Sequence, residues 1–90
     1  MVTAFVLINI EDKNVKRIAE ALLKFPGIRE VYPVAGEYDM VAVVRVDTNH
    51  ALSELITEKL IHAPGVLRTK TLFALQCYSP YDLDKFFKTK

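Results

Sequence analysis

Four adjacent residues, Gly36-Glu37-Tyr38-Asp39, offer most of the chemistry in this chain. Asp39 can present a carboxylate to an ammonium group. The backbone N–H groups of such a turn can receive a ligand carboxylate. Tyr38 can wall a pocket with its ring and its hydroxyl. A plain hairpin turn is the competing account. Glycine is free at positive φ and Asp tolerates turn conformations. That covers Gly36 and Asp39, and explains less well why Tyr follows Glu at the tip. On the residues alone the plain turn is the stronger reading. Thr69 and Thr71 form a second candidate, with two hydroxyls on one face of a strand beside Arg68 and Lys70. They could point into a shared polar pocket. Threonine suits a strand in any case, and that simpler account wins when the pair is taken alone.

The remaining reactive side chains form no constellation. His50 and His62 bracket one helix and cannot chelate an ion from the same helical turn, so no metal site is expected. His62 suits a helix C-terminus through the macrodipole. The single Cys77 lacks a nearby His to act as its base and reads as a small hydrophobe at a strand end. One cysteine also excludes an internal disulfide and a cysteine zinc cage, and it fits a reducing compartment. There is no Gly-rich phosphate loop and no pair of carboxylates placed for acid–base work. No cofactor and no catalytic residue is expected, and the chain reads as a non-enzyme.

The candidate residues must be held in place by a chain that contains itself twice. Moved forward by 38, residues 4–36 lie on residues 42–74 without a gap. Ala4, Val6 and Ile8 land on Ala42, Val44 and Val46, and Ile18 and Leu22 on Ile56 and Leu60. Pro26-Gly27-Ile28 lands on Pro64-Gly65-Val66. Each copy reads strand, helix, Pro-Gly turn, strand. Residues 2–10 are rich in β-branched and aromatic types. Asp12 or Asn14 can cap a helix whose apolar stripe is Val15, Ile18, Ala19, Leu22 and Phe25. A second strand runs from Ile28 to Ala35, with Pro33 demanding an edge or a bulge. Met40 to Val46 is the third strand. Asp47-Thr48-Asn49 offers a cap to a helix with Leu52, Leu55, Ile56 and Leu60 on one stripe. Val66 to Cys77 is the fourth strand. Two right-handed crossovers joined by a hairpin predict an α+β, ferredoxin-like βαββαβ fold, a four-stranded antiparallel sheet with two helices on one face.

Strand alternation divides the side chains between the two faces. The repeat assigns Ala4, Val6, Ile8, Ala42, Val44 and Val46 to the helices. The opposite face still carries Phe5, Leu7, Val41 and Val43, and strand four adds apolar residues on either phase: Leu67, Leu72, Phe73 and Leu75. Soluble monomers rarely leave such a face bare. The tail 78–90 could fold over it with Tyr78, Tyr81, Leu83, Phe86 and Phe87, but it is short. A two-fold pair stacked sheet on sheet is the stronger expectation.

Bulk properties agree. Ninety residues make one domain, and 51% apolar content argues for a packed fold. A domain this size buries only about 60–65% of its unfolded surface, so oligomerisation helps complete its core. A net charge of +1 with interspersed signs argues against direct nucleic-acid binding. The longest apolar runs are too short to cross a bilayer. Met1 leads straight into a strand, so no signal peptide is expected and the cytoplasm is the expected location.

As a unit the pattern resembles the effector-binding (RAM) module of the Lrp/AsnC feast/famine regulators. The resemblance rests on Phe-Pro-Gly-Ile-Arg-Glu-Val at 25–31 and on Val-Ala-Gly-Glu-Tyr-Asp-Met-Val-Ala-Val-Val at 34–44. It continues through Leu-Ile-Thr-Glu-Lys-Leu at 55–60 and Ala-Pro-Gly-Val-Leu-Arg-Thr-Lys-Thr at 63–71. It covers residues 2–77, which makes 1–77 the domain and 78–90 a tail outside it. The resemblance implies dimers formed through the sheets, closing into rings of dimers. It implies small effectors, typically amino acids, in clefts between dimers. Gly36, Tyr38 and Asp39 would belong to the ligand loop, and Thr69 and Thr71 to the wall beside it, so the functional reading of the turn then leads. Family regulators carry a helix-turn-helix before this module, whereas strand one starts here at Val2. A stand-alone sensor that works through partners, such as full-length Lrp/AsnC relatives, is the expectation. A small dimeric α+β-barrel enzyme (a monooxygenase or isomerase) and a purely structural oligomeriser are the rivals, since fold does not fix function.

Overall fold

The computed structural model describes residues 1–11 and 14–80. Strands β1 (Val2–Ile10), β2 (Ile28–Pro33), β3 (Met40–Val46) and β4 (Val66–Phe73) form one antiparallel sheet in the order β2-β3-β1-β4. Helices α1 (Val15–Leu22) and α2 (Asn49–Glu54) cross between strands. This is the split βαβ arrangement of ferredoxin-like domains.

Local chemistry sets the boundaries. Asn14 caps α1 by accepting the Arg17 N–H at 3.3 Å, and Thr48 caps α2 by accepting the Ala51 N–H at 3.0 Å. Asp12, the other cap candidate, lies outside the described residues. Both Pro-Gly turns place glycine at positive φ, Gly27 at 104° and Gly65 at 89°. Each turn carbonyl is held by the other repeat: Gly27 accepts from Arg45 N–H and Gly65 from Glu11 N–H, both at 2.8 Å. Pro33 ends β2, an edge strand, where its missing N–H breaks no inner ladder. Strand β2 therefore stops short of the expected Ala35. Strand β4 stops at Phe73 rather than Cys77, because β1 has only two residues left beyond Ala4, the partner of Phe73. One further bond, from Ala74 N–H to the Thr3 carbonyl, closes that end.

The second helix departs from a plain α-helix. After Glu54 it widens into a π-helical turn, Leu55–Lys59, and then tightens into a 3₁₀ turn, Leu60–His62. The cause is spacing. Leu52 and Leu55 are three apart, but Leu60 lies five beyond Leu55. Five α-helical residues advance by about 500°, which would set Leu60 about 140° round the helix from Leu55. The wider turn brings it back, and Leu52, Leu55 and Leu60 are all buried.

The core lies between helices and sheet. Ala4, Val6, Ile8, Met40, Ala42 and Val44 are fully buried, and they pack in one cluster with Ile18, Leu22, Leu52, Leu55 and Leu60. Both helices therefore cover the same face. No polar or charged residue is buried among the described residues.

The register places the other face in detail. Phe5 stands between Val43 and Leu72, and Leu7 between Val41 and Lys70. Tyr32 extends the set beyond Val41. Phe5, Leu72 and Tyr32 are 39%, 43% and 49% exposed. A hydrogen bond to Glu30 and its negative charge raise the Tyr32 phenol above its usual pKa, against a lowering influence from Arg45. The cover expected from Tyr81, Leu83, Phe86 and Phe87 lies outside the described residues.

Candidate functional site

The β2–β3 hairpin is fastened to the far end of β1. Val34 N–H donates to the Asp39 carbonyl at 3.0 Å, closing the turn. Asp39 N–H donates to the Ile8 carbonyl at 2.9 Å. The Asp39 side chain then takes the place of a strand: its Oδ2 accepts Ile10 N–H at 2.8 Å. On the neighbouring residue, Asn9 Nδ2 donates to the Glu37 carbonyl at 2.9 Å. Asp39 thus prolongs the β1–β3 ladder past its last pair, Ile8 with Met40. Gly36 has φ +132°, and a Cβ built there meets nothing within 4 Å. Backbone conformation, not crowding, requires glycine at that position.

Beside the hairpin tip opens a cleft of about 570 Å³, lined by Asn9, Glu37, Tyr38, Arg68, Thr69 and Lys70. The fold brings Tyr38 and Thr69 to one cleft although they lie in different repeats. Gly36 and Asp39 shape the loop behind the cleft and are not in its lining. Thr71 is not in the lining either. Thr69 and Thr71 pair with Ile8 and Val6, so both project from the helix side of edge strand β4 and are half-buried. Arg68 pairs with Asn9 on the opposite side of the sheet.

Asn9 is the site residue that sequence reasoning passed over. An Asn within a run of Val, Leu and Ile is its one signal, since Asn is depleted in strands. Its Nδ2 is committed to the loop, and its Oδ1 is shielded from solvent with no donor among the described residues. A buried acceptor left unpaired costs about 1–3 kcal/mol, which marks this spot as one where a donor is wanted.

The other reactive residues stay apart. His50 lies 3.6 Å from Glu54 on the exposed side of α2, His62 is exposed, and Cys77 is exposed beyond β4. Among the described residues, no three His, Cys, Asp or Glu side chains gather to hold a metal. None of their helices is long and apolar enough to cross a membrane. Another concavity, of about 400 Å³, lies at the opposite end of the sheet, where Arg29, Arg45 and Lys59 mix with Asp47, Glu54 and Glu58.

Fold and cleft together define a ferredoxin-like module with a small-molecule-sized recess at its central hairpin. The Lrp/AsnC ligand binding domain profile matches residues 3–83, and the chain belongs to that family. An HTH-type transcriptional regulator of Pyrococcus furiosus is 38% identical over 73 residues, which are 78% of this chain and 49% of the regulator. The chain therefore spans about half the length of the curated relatives it matches. The crystal structure of a Thermus thermophilus protein, TTHA0845, superposes with a TM-score of 0.79 at 40% identity, covering 88% of this chain and 99% of that one. The feast or famine regulatory protein of M. tuberculosis, solved in complex with L-methionine, gives a TM-score of 0.70 at 32% identity, over 89% of this chain and 54% of that one.

Proposed function

We propose that this chain is an effector-binding and oligomerisation module that takes an amino acid in the cleft at its β2–β3 hairpin. The observation that carries the reading is the meeting of Tyr38 and Thr69 across one recess of about 570 Å³. The methionine complex of a relative 32% identical supports the amino-acid class. In this reading Tyr38 walls the ligand, and the turn N–H groups around Gly36 receive its carboxylate. Asp39 braces the loop through Oδ2 and keeps its second oxygen for an ammonium group. Thr69 supplies a hydroxyl from β4, and Thr71, outside the lining, stands next along the same side of that strand. The exposed face of Phe5, Leu72 and Tyr32 pairs with a second copy, sheet on sheet, and such dimers close into rings.

Ligand state passes onward as a change in assembly affinity, and by linkage assembly changes ligand affinity equally. The partners are other copies and full-length Lrp/AsnC relatives, so transcription is modulated without direct nucleic-acid contact, in the cytoplasm. Calorimetry with a panel of amino acids, beside light scattering with and without them, tests this. Heat with at least one amino acid, from an oligomer, is the expected result. Silence across the panel from a well-formed oligomer leaves a structural oligomeriser. An enzyme of the sheet-dimer type needs a polar group between helices and sheet, and the described residues bury none there.

A further inference from the structure

The cleft carries a charge imbalance. Arg68 and Lys70 flank Thr69 on β4, and all three line the recess. Their cross-strand neighbours are Asn9 and Leu7, so neither cation faces an acid on β1. The two stand about 7 Å apart along one face of the strand, close enough to repel. Among the described residues neither has an ion-pair partner. Glu37 is the one acid in the lining, and it is exposed. Asp39, behind the lining, holds Ile10 N–H through Oδ2 and in the proposed reading answers the ligand ammonium, so it does not offset the two cations. Two unpaired cations against one solvated acid favour a ligand with more negative than positive charge.

We infer that the effector is a dicarboxylic amino acid, with Arg68 and Lys70 receiving its side-chain carboxylate. The inference rests on the cleft being the effector site. Hydrogen bonds between ionised partners are about twice as strong as neutral ones, and a walled recess screens them less than open water does. The neutral amide of the same shape keeps an oxygen for these donors but loses the charge assistance.

The experiment is calorimetry on the full chain with L-glutamate, L-glutamine, L-aspartate, L-asparagine and L-methionine. One of the two acids should bind about tenfold or more tighter than its own amide. That gap should narrow as salt rises from about 50 mM to about 0.5 M. Arg68→Gln and Lys70→Gln should each weaken binding of the acid more than binding of the amide and so narrow the gap between them, with solution mass and circular dichroism as controls. The wild-type comparison stands even if a variant fails to fold. Glutamine, asparagine or methionine binding as tightly as the acids overturns the dicarboxylate assignment and spares the effector reading. No heat from any amino acid overturns both.

Discussion

Asp39 serves two masters in one turn. Its Oδ2 completes the β1–β3 ladder through Ile10 N–H, while its charge is the feature a ligand ammonium would read. Substitution separates the two. Asp39→Ala removes the acceptor and should cost about 1–2 kcal/mol in urea unfolding. Asp39→Asn keeps an oxygen for Ile10 N–H, so it should stay within about 0.5 kcal/mol of the parent in the same measurement. If the asparagine variant is as unstable as the alanine one, the bond to Ile10 is not what Asp39 contributes. At this scale the sequence was half legible. A turn with Gly, Tyr and Asp could be seen to invite a ligand. That Asp39 would be partly spent on Ile10 N–H could not, because the hydrogen bond spans 29 positions and depends on where the hairpin lands. Asn9 was hidden for the same reason: its partner Glu37 lies 28 positions away.

Among the elements, the glycines at the turns differ in what they must avoid. A Cβ on Gly27 would sit 2.6 Å from Val46 Cγ1 at φ +104°, so a side chain there meets both strain and a packed neighbour. Gly36 has the positive φ and open space around it. Gly36→Ala should therefore cost about 1 kcal/mol and Gly27→Ala about 2–3 kcal/mol by the same unfolding measurement. Equal costs would mean that the contact with Val46 relaxes freely. Repeats and stripes made these elements readable in advance: four strands, two helices and both Pro-Gly turns follow from spacing alone. The widened turn at Leu55–Lys59 did not. Its warning was the step of five between Leu55 and Leu60, which shows only when the stripe is followed past Leu55. Strand ends were overrun at Ala35 and Cys77, since alternation can persist in sequence after the pairing partner has run out.

For the whole molecule, the division of apolar residues between two faces was legible because side-chain period in a strand is two. The repeat told which set belongs to the helices, and burial of Ala4, Val6, Ile8, Ala42 and Val44 agrees. On the other face Phe5 stands between Val43 and Leu72. Placing a charge there probes it: Phe5→Glu should shift the mass seen by light scattering at micromolar concentration to that of one subunit, with circular dichroism unchanged. A variant that keeps the parent mass means the subunits meet elsewhere.

The internal duplication holds in the order of its elements and breaks in chemistry. Thirty-eight positions beyond Gly36-Glu37-Tyr38-Asp39 the chain reads Ala74-Leu75-Gln76-Cys77, with no glycine, ring or carboxylate. That stretch borders its own hollow of about 450 Å³, beside Thr3, Phe5 and Arg45. Geometric symmetry would give each subunit two equivalent receptors. Only the first of these stretches carries the glycine, ring and carboxylate, so the proposed reading predicts a single effector per polypeptide at saturation.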